Sequence, residues 1–267
     1  MGKYEDCLLR FQFKEADAIR KSLIPPKLYK YVPLENDAND VRLKTLERQE
    51  IWLSKVASLN DPYELKGIYN DYGGQNEFQH LMDACAEYLC IASLTANGAE
   101  HLPMWAYYAN NHKGMCIEYD VLSPEYIFPV GYTEKRVPFS NLLSVISANE
   151  ADDLFEERIK LAFHLLSMQL YQKHSSWKSE NEYRLIHPRA ICEDPAKKGM
   201  AFSLTDVGLK TSRIIAGYNC ALTGQIKMIT EKINAPFLQC GISESKYMLL
   251  EEDKINGQTE NADSKQG

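Results

Sequence analysis

The sequence predicts an α+β fold, a single domain over residues 1–250 built on a central mixed or antiparallel sheet flanked by helices. Three observations predict it. Short apolar segments bounded by turn residues recur along the chain, among them Lys27–Val32, Cys90–Thr95, Met115–Asp120 and Glu182–Ile186. Longer stretches between them repeat their apolar residues at helical spacing. No internal repeat and no shift of composition marks a second domain, so one layered core accounts for the pattern.

In chain order, Glu5–Leu23 predicts a helix with Leu9, Phe13 and Ala16 on one stripe, stopped by Pro25-Pro26. Lys27–Val32 is a Tyr-rich strand, residues 35–40 a loop and Ile51–Ser54 a second strand. Asn60-Asp61-Pro62 is a turn, because the residue before proline avoids the helical region. Gly73-Gly74 ends a loop, Phe78, Leu81, Cys85 and Tyr88 mark a helix, and Cys90–Thr95 is a buried strand.

Pro103-Met104-Trp105 opens a helix whose end is signalled by Asn110–Gly114. Gly114 suits the left-handed position after a helix, where a methyl group would cost about 1 kcal/mol. Met115–Asp120 follows as a strand, and Tyr126–Tyr132 as another made irregular by Pro129 and Gly131. A long amphipathic helix is predicted from about Glu150 to Lys173. Glu182–Ile186, Ala201–Leu204, Arg213–Ala216 and Tyr247–Leu250 read as strands, with a helix at Thr223–Lys232. From Glu251 onward the chain is polar, which predicts a disordered tail.

The 267 residues are 45% hydrophobic and 25% charged, which excludes collagen-like, coiled-coil and wholly disordered chains. A net charge of -7 disfavours non-specific binding to the nucleic-acid backbone, while leaving room for a local basic groove. Seven cysteines without a CxxC pair and without a secretory leader predict free thiols in a reducing, cytoplasmic setting. No apolar run reaches the ~20 residues of a membrane span, so no membrane partner is expected. No metal is expected either: His80, Cys85 and Cys90 supply ligand types but no recognisable spacing.

Five segments in order carry a resemblance: Leu28–Tyr31, Asn60–Glu64, Ser93–Thr95, Met104–Glu118 and Trp177–Arg184. The chain from about Leu28 to Gly217 resembles the bacterial domain-of-unknown-function family 2971, which implies a bacterial cytosolic protein and brings no settled activity. The order of three segments is also similar to the ADP-ribosyltransferase fold, with an early ribose-holding strand, a middle Ser/Thr strand and a late strand bearing a Glu-x-Glu. Here these are Tyr29-Lys30-Tyr31, Ser93-Leu94-Thr95 and Glu180-Asn181-Glu182, with Lys30 where such enzymes usually show Arg or His.

The likeness implies NAD as substrate, with Glu182 and Glu180 as catalytic candidates. A carboxylate there would stabilise the oxocarbenium-like ribose left when nicotinamide departs. Strand alternation places both glutamates on one face together with Arg184; the competing reading is a solvent-facing edge with surface ion pairs. The candidate ligand-binding residues are Lys30, Tyr31, Ser93, Thr95, Trp105, Tyr108, His112 and Lys113. Tyr31 or Tyr108 would stack the nicotinamide, and Ser93 and Thr95 would brace the ribose. Trp105 and Tyr108, three apart on a helix, serve equally as core, and His112 and Lys113 as helix-end groups. Two functions therefore compete. One is an enzyme acting on NAD or a related nucleotide. The other is a non-enzymatic module that recognises a protein or nucleic-acid partner in a bacterial stress or defence system.

Overall fold

The computed structural model describes residues 2–71, 77–147, 154–243 and 249–251, the last three and residues 146–147 by backbone only. The elements in chain order begin with α1 (Gly2–Leu9), α2 (Phe13–Ser22), β1 (Lys27–Val32), α3 (Asn39–Glu47), β2 (Glu50–Lys55) and β3 (Ile68–Tyr69). Next come α4 (Glu77–Ala86), β4 (Leu89–Thr95), α5 (Leu102–Tyr108), β5 (Met115–Val121), β6 (Ile127–Pro129), β7 (Gly131–Thr133) and β8 (Val137–Pro138). Then follow α6 (Phe139–Ser147), α7 (Phe155–Met168), β9 (Gln172–His174), β10 (Glu182–Ile191), β11 (Gly199–Ser203), β12 (Leu209–Ala216), α8 (Thr223–Lys232), β13 (Phe237–Ile242) and β14 (Leu249–Glu251). The described residues form two compact units. The first draws on the described residues within 2–24, 52–93 and 124–200, the second on those within 25–51, 94–123 and from Ala201 to Glu251. Each unit is woven from three separated stretches, so no linker marks their boundary in the sequence.

The second unit is a mixed sheet, as predicted. β1 runs antiparallel to β5 from Lys27↔Asp120 to Val32↔Met115, and Tyr29 meets Thr95 on its other side. β12 continues antiparallel to β5, β13 joins it in parallel, and β14 closes the ladder antiparallel to β13. Over this sheet Trp105, Tyr31, Met104, Cys116, Ile215 and Cys240 form one buried cluster.

The end of α5 corrects the expectation for Gly114. Three consecutive residues, Asn110, Asn111 and His112, take the left-handed conformation at φ 48°, 52° and 67°. Asn111 N donates to Ala106 O, so Asn110 occupies the position reserved above for glycine. Asn tolerates that region better than most residues. Gly114 is needed for a different reason: a Cβ there would lie 2.1 Å from the Val32 carbonyl oxygen. The strand backbone passes where a side chain would stand.

In the first unit β2 pairs antiparallel with β4 through Ser54↔Ile91, and β10 pairs with β4 and β6, with Arg184 opposite Phe128. β7 and β9 form a separate parallel ribbon, Tyr132 opposite Lys173. Helices α1, α2 and α7 bury Tyr4, Leu8, Ala16, Leu161 and Met168 in a common core. Arg20 of α2 is itself buried, and its guanidinium donates to Pro124 O and Ile127 O while lying 4.3 Å over the Phe128 ring.

The predicted helix Glu5–Leu23 is two helices. Phe11, at φ 58°, breaks it, with Gln12 N donating to Cys7 O and Phe11 N to Leu8 O, the left-handed helix stop usually made by glycine. The predicted helix to Lys173 is also shorter: α7 ends at Met168, and Lys173 lies in β9. Positions 150–153 of that prediction lie outside the described residues, as do Gly73-Gly74, Tyr247–Met248 and the tail from 252. Asn39 and Asp40, read as loop, begin α3, and Tyr126–Tyr132 resolves into β6 and β7. Among the described residues no helix is long and apolar enough to cross a membrane.

Candidate functional site

The first unit holds a buried chain of ion pairs. β9 carries Lys173 inward, and a 3-10 turn over Ser175–Glu180 reverses the chain. Asn181, left-handed at φ 46°, then swings it into β10. Glu180 is therefore in the turn and not on the strand, which corrects the alternation argument made for the two glutamates. They converge nonetheless, because the reversal aims both at one ammonium: Lys173 Nζ lies 2.7 Å from Glu180 Oε2 and 3.0 Å from Glu182 Oε2. The other Glu182 oxygen, Oε1, accepts from Arg184 Nε at 3.1 Å. Arg184 grips Glu64 with two further bonds of 2.7 and 2.6 Å and donates to Leu170 O.

This face is not a solvent-facing edge. Glu182 is 5% exposed and Arg184 1%. Burial alone would raise the Glu182 carboxyl, but Arg184 and Lys173, with a hydrogen bond from Ser93, hold it below its ordinary value. Lys173 is held above its ordinary value against burial by Glu182 and Glu180. Arg184 is likewise held up, against burial, by Glu182 and Glu64. Burial pushes Glu64 upward, and the Arg184 hydrogen bonds only partly offset it. The backbone N–H of Glu182 donates to Tyr132 Oη at 2.8 Å, pinning the start of β10 to β7.

A cavity of about 550 Å³ lies against this network, within the same unit. Lys66, Lys135, Arg136, Lys173, His174 and Trp177 line it, with Tyr63, Asp61 and Glu134 among their neighbours. Trp177 stacks over Lys173, 4.6 Å from ring centre to Nζ. Arg136 is committed to the wall, donating to Lys66 O and Ile68 O. Asp61 is committed too: its carboxylate accepts from Tyr63 N and holds the predicted turn. Sequence reasoning missed Lys66, Lys135, His174 and Trp177 as site residues. The aromatic in Trp177-Lys178-Ser179-Glu180 beside two glutamates was the one local signal.

The remaining predicted site residues belong mostly to the second unit. Ser93 is the exception, touching Glu182 in the first. Trp105 is wholly buried, donating from Nε1 to Ala99 O at 2.7 Å with Tyr31 edge-on at 5.1 Å. Tyr31 donates to Gly98 O, and Tyr108 packs half-buried on the same cluster. His112 stacks on Trp105, and burial lowers its affinity for a proton. Lys113 lies 3.6 Å from Glu35, and Thr95 Oγ1 accepts from Asn97 N. Lys30 is half-buried on β1. Tyr31 and Trp105 thus have core packing as their visible work.

Residues 104–185 match the family described as Protein of unknown function (DUF2971). The chain resembles that family. The match covers less than half of the chain, a narrower stretch than Leu28 to Gly217. No curated protein and no solved structure matches the chain.

The stretch resembling DUF2971 begins at Met104 in α5 and ends at Leu185 in β10. It therefore includes Lys135, Lys173, His174, Trp177, Glu180, Glu182 and Arg184, while Glu64 and Lys66 lie outside it. Among the described residues no group of three His, Cys, Asp or Glu side chains is placed to hold a metal ion.

Proposed function

We propose that the protein binds a small anionic ligand of nucleotide type in the cavity of the first unit. The observation that carries the reading is a cavity of about 550 Å³ that gathers cationic side chains and an aromatic ring against a rigid, buried ion-pair network. Its size is ordinary for a small-molecule site. The network beneath it holds Lys173 and Trp177 in place, which limits the ordering cost of binding.

NAD is the ligand of first choice because it joins phosphates to planar rings, which suit the cavity's cationic side chains and Trp177. The Tyr29–Tyr31, Ser93–Thr95 and Glu180–Glu182 segments behind the sequence expectation are not among the lining residues. A second reading, ADP-ribosyl or glycosyl transfer from NAD, draws on Glu182 being kept ionised, since only the carboxylate stabilises an oxocarbenium-like ribose. Both Glu182 oxygens are engaged by cations, so transfer would require one of them to let go. That favours binding over chemistry.

Ligand-observed NMR with NAD, followed by a nicotinamide-release assay, tests both. Binding without release supports a binding protein and removes the transferase reading. Release by the wild type and not by a Glu182→Gln variant that is still folded and still binds NAD supports transfer. No NAD binding at millimolar concentration removes both, and the partner-recognition module takes their place.

A further inference from the structure

The cavity's donors allow the ligand class to be narrowed, an inference that rests on the proposed function. The ribbon of β7 and β9 is parallel, with Thr133 opposite His174 at its C-terminal end. Lys135 follows Thr133 in a turn fixed by reciprocal bonds between the Thr133 hydroxyl and the Lys135 backbone. His174 is fixed as well. Its Nδ1 accepts the backbone N–H of Ser176 at 3.3 Å, so the neutral ring carries its proton on Nε2. In that tautomer Nε2 is a donor and not a base.

The acidic neighbours are already engaged, Asp61 with Tyr63 N and Glu134 with the Ser175 hydroxyl. Among the described residues neither the Lys66 nor the Lys135 ammonium has a carboxylate partner. Two ammonium groups and an imidazole N–H lining one cavity suit a phosphate, for which lysine acts as a point charge. Trp177 has Lys173 over one face, which helps to fix the indole, and the ring lines the cavity as a surface for stacking.

We infer that this cavity is selective for a phosphorylated planar-ring ligand, with Lys66, Lys135 and His174 taking the phosphate and Trp177 the ring. Isothermal titration calorimetry on the full chain tests it with AMP, adenosine, inorganic phosphate and NAD. AMP should bind at least about tenfold more tightly than adenosine, and its affinity should fall as salt rises. Lys135→Ala and His174→Ala, both at exposed positions, should each weaken AMP severalfold and leave adenosine unchanged.

Adenosine binding as tightly as AMP would overturn the phosphate assignment, and binding of NAD in the same titrations would keep the proposed function standing. Unchanged AMP affinity in both variants would also overturn the phosphate assignment. Inorganic phosphate binding as tightly as AMP would overturn the ring assignment to Trp177. No heat with NAD, AMP or adenosine would instead remove the proposed function itself. Thermal melts of each variant separate a lost contact from a lost fold.

Discussion

Gly114 shows how one position carries a constraint that its neighbours cannot reveal. The helix end that the sequence assigns to it is made by Asn110, while Gly114 lets β1 pass close by. Gly114→Ala must push the Val32 carbonyl away, so the expected cost rises from ~1 kcal/mol for a left-handed residue to about 3 kcal/mol for overpacking. A urea midpoint unchanged from the wild type would contradict this. Glu182 offers a second test. Glu182→Gln removes the carboxylate that Lys173 and Arg184 share, and each keeps one partner, Glu180 and Glu64. Weakening these buried charge-assisted bonds should cost about 2 kcal/mol at neutral pH.

The pH dependence of that loss has a definite sign. The folded carboxyl of Glu182 is held below its unfolded value, so its contribution is complete above the ordinary glutamate range and is lost as pH falls through the folded value. Glu64, held upward by burial, works in the opposite sense and is present in both proteins. The stability gap between wild type and Glu182→Gln should therefore narrow as pH falls from about 6 to about 3. A gap that stays constant across this range would show that Glu182 is not the ionised member.

At the scale of elements, the turn at Asn181 decides where the glutamates go. Its left-handed backbone joins the 3-10 turn to β10 and lets Glu180 meet Lys173 from outside the strand. Asn181→Gly should be close to neutral, and Asn181→Val should cost about 1–2 kcal/mol, because a β-branched residue resists that region. Equal denaturation midpoints for the two variants would count against the turn. The same chemistry ends α1 at Phe11 and α8 at Asn234, each left-handed. Phe11 carries no sequence signal of a helix stop, and for that reason Glu5–Leu23 read as one helix.

For the whole molecule, thiol exposure and ligand linkage are the accessible measurements. All seven cysteines are free, five buried and Cys7 and Cys85 half-buried. Burial pushes the Cys90 thiol up to about 11, further slowing its reaction. A thiol reagent should label Cys7 and Cys85 in the native protein and the other five only after unfolding. Rapid native labelling of Cys90 or Cys116 would show that the burial is not kept in solution. If the cavity binds a nucleotide, NAD at about a hundred times its Kd should add roughly 2.7 kcal/mol to stability and raise Tm accordingly. Lys135→Ala should reduce that shift.

By itself the sequence determined the fold class and most of the longer strands, though not β9 or β13. Lys27–Val32, Cys90–Thr95, Met115–Asp120 and Glu182–Ile186 all lie in strands, and α8 has its predicted bounds. Those features are written in local periodicity and turn residues, which need no knowledge of distant partners. The tertiary structure alone decided the chemistry of the charged residues. A Glu-x-Glu next to an arginine reads as a surface pair until Lys173 and Glu64 enclose it. The cavity is likewise built from residues around 61–67, 133–136 and 172–177, distant in sequence and joined only by folding. Whether a charge is buried, and against what, is a property of contacts between remote segments, and no local pattern encodes it.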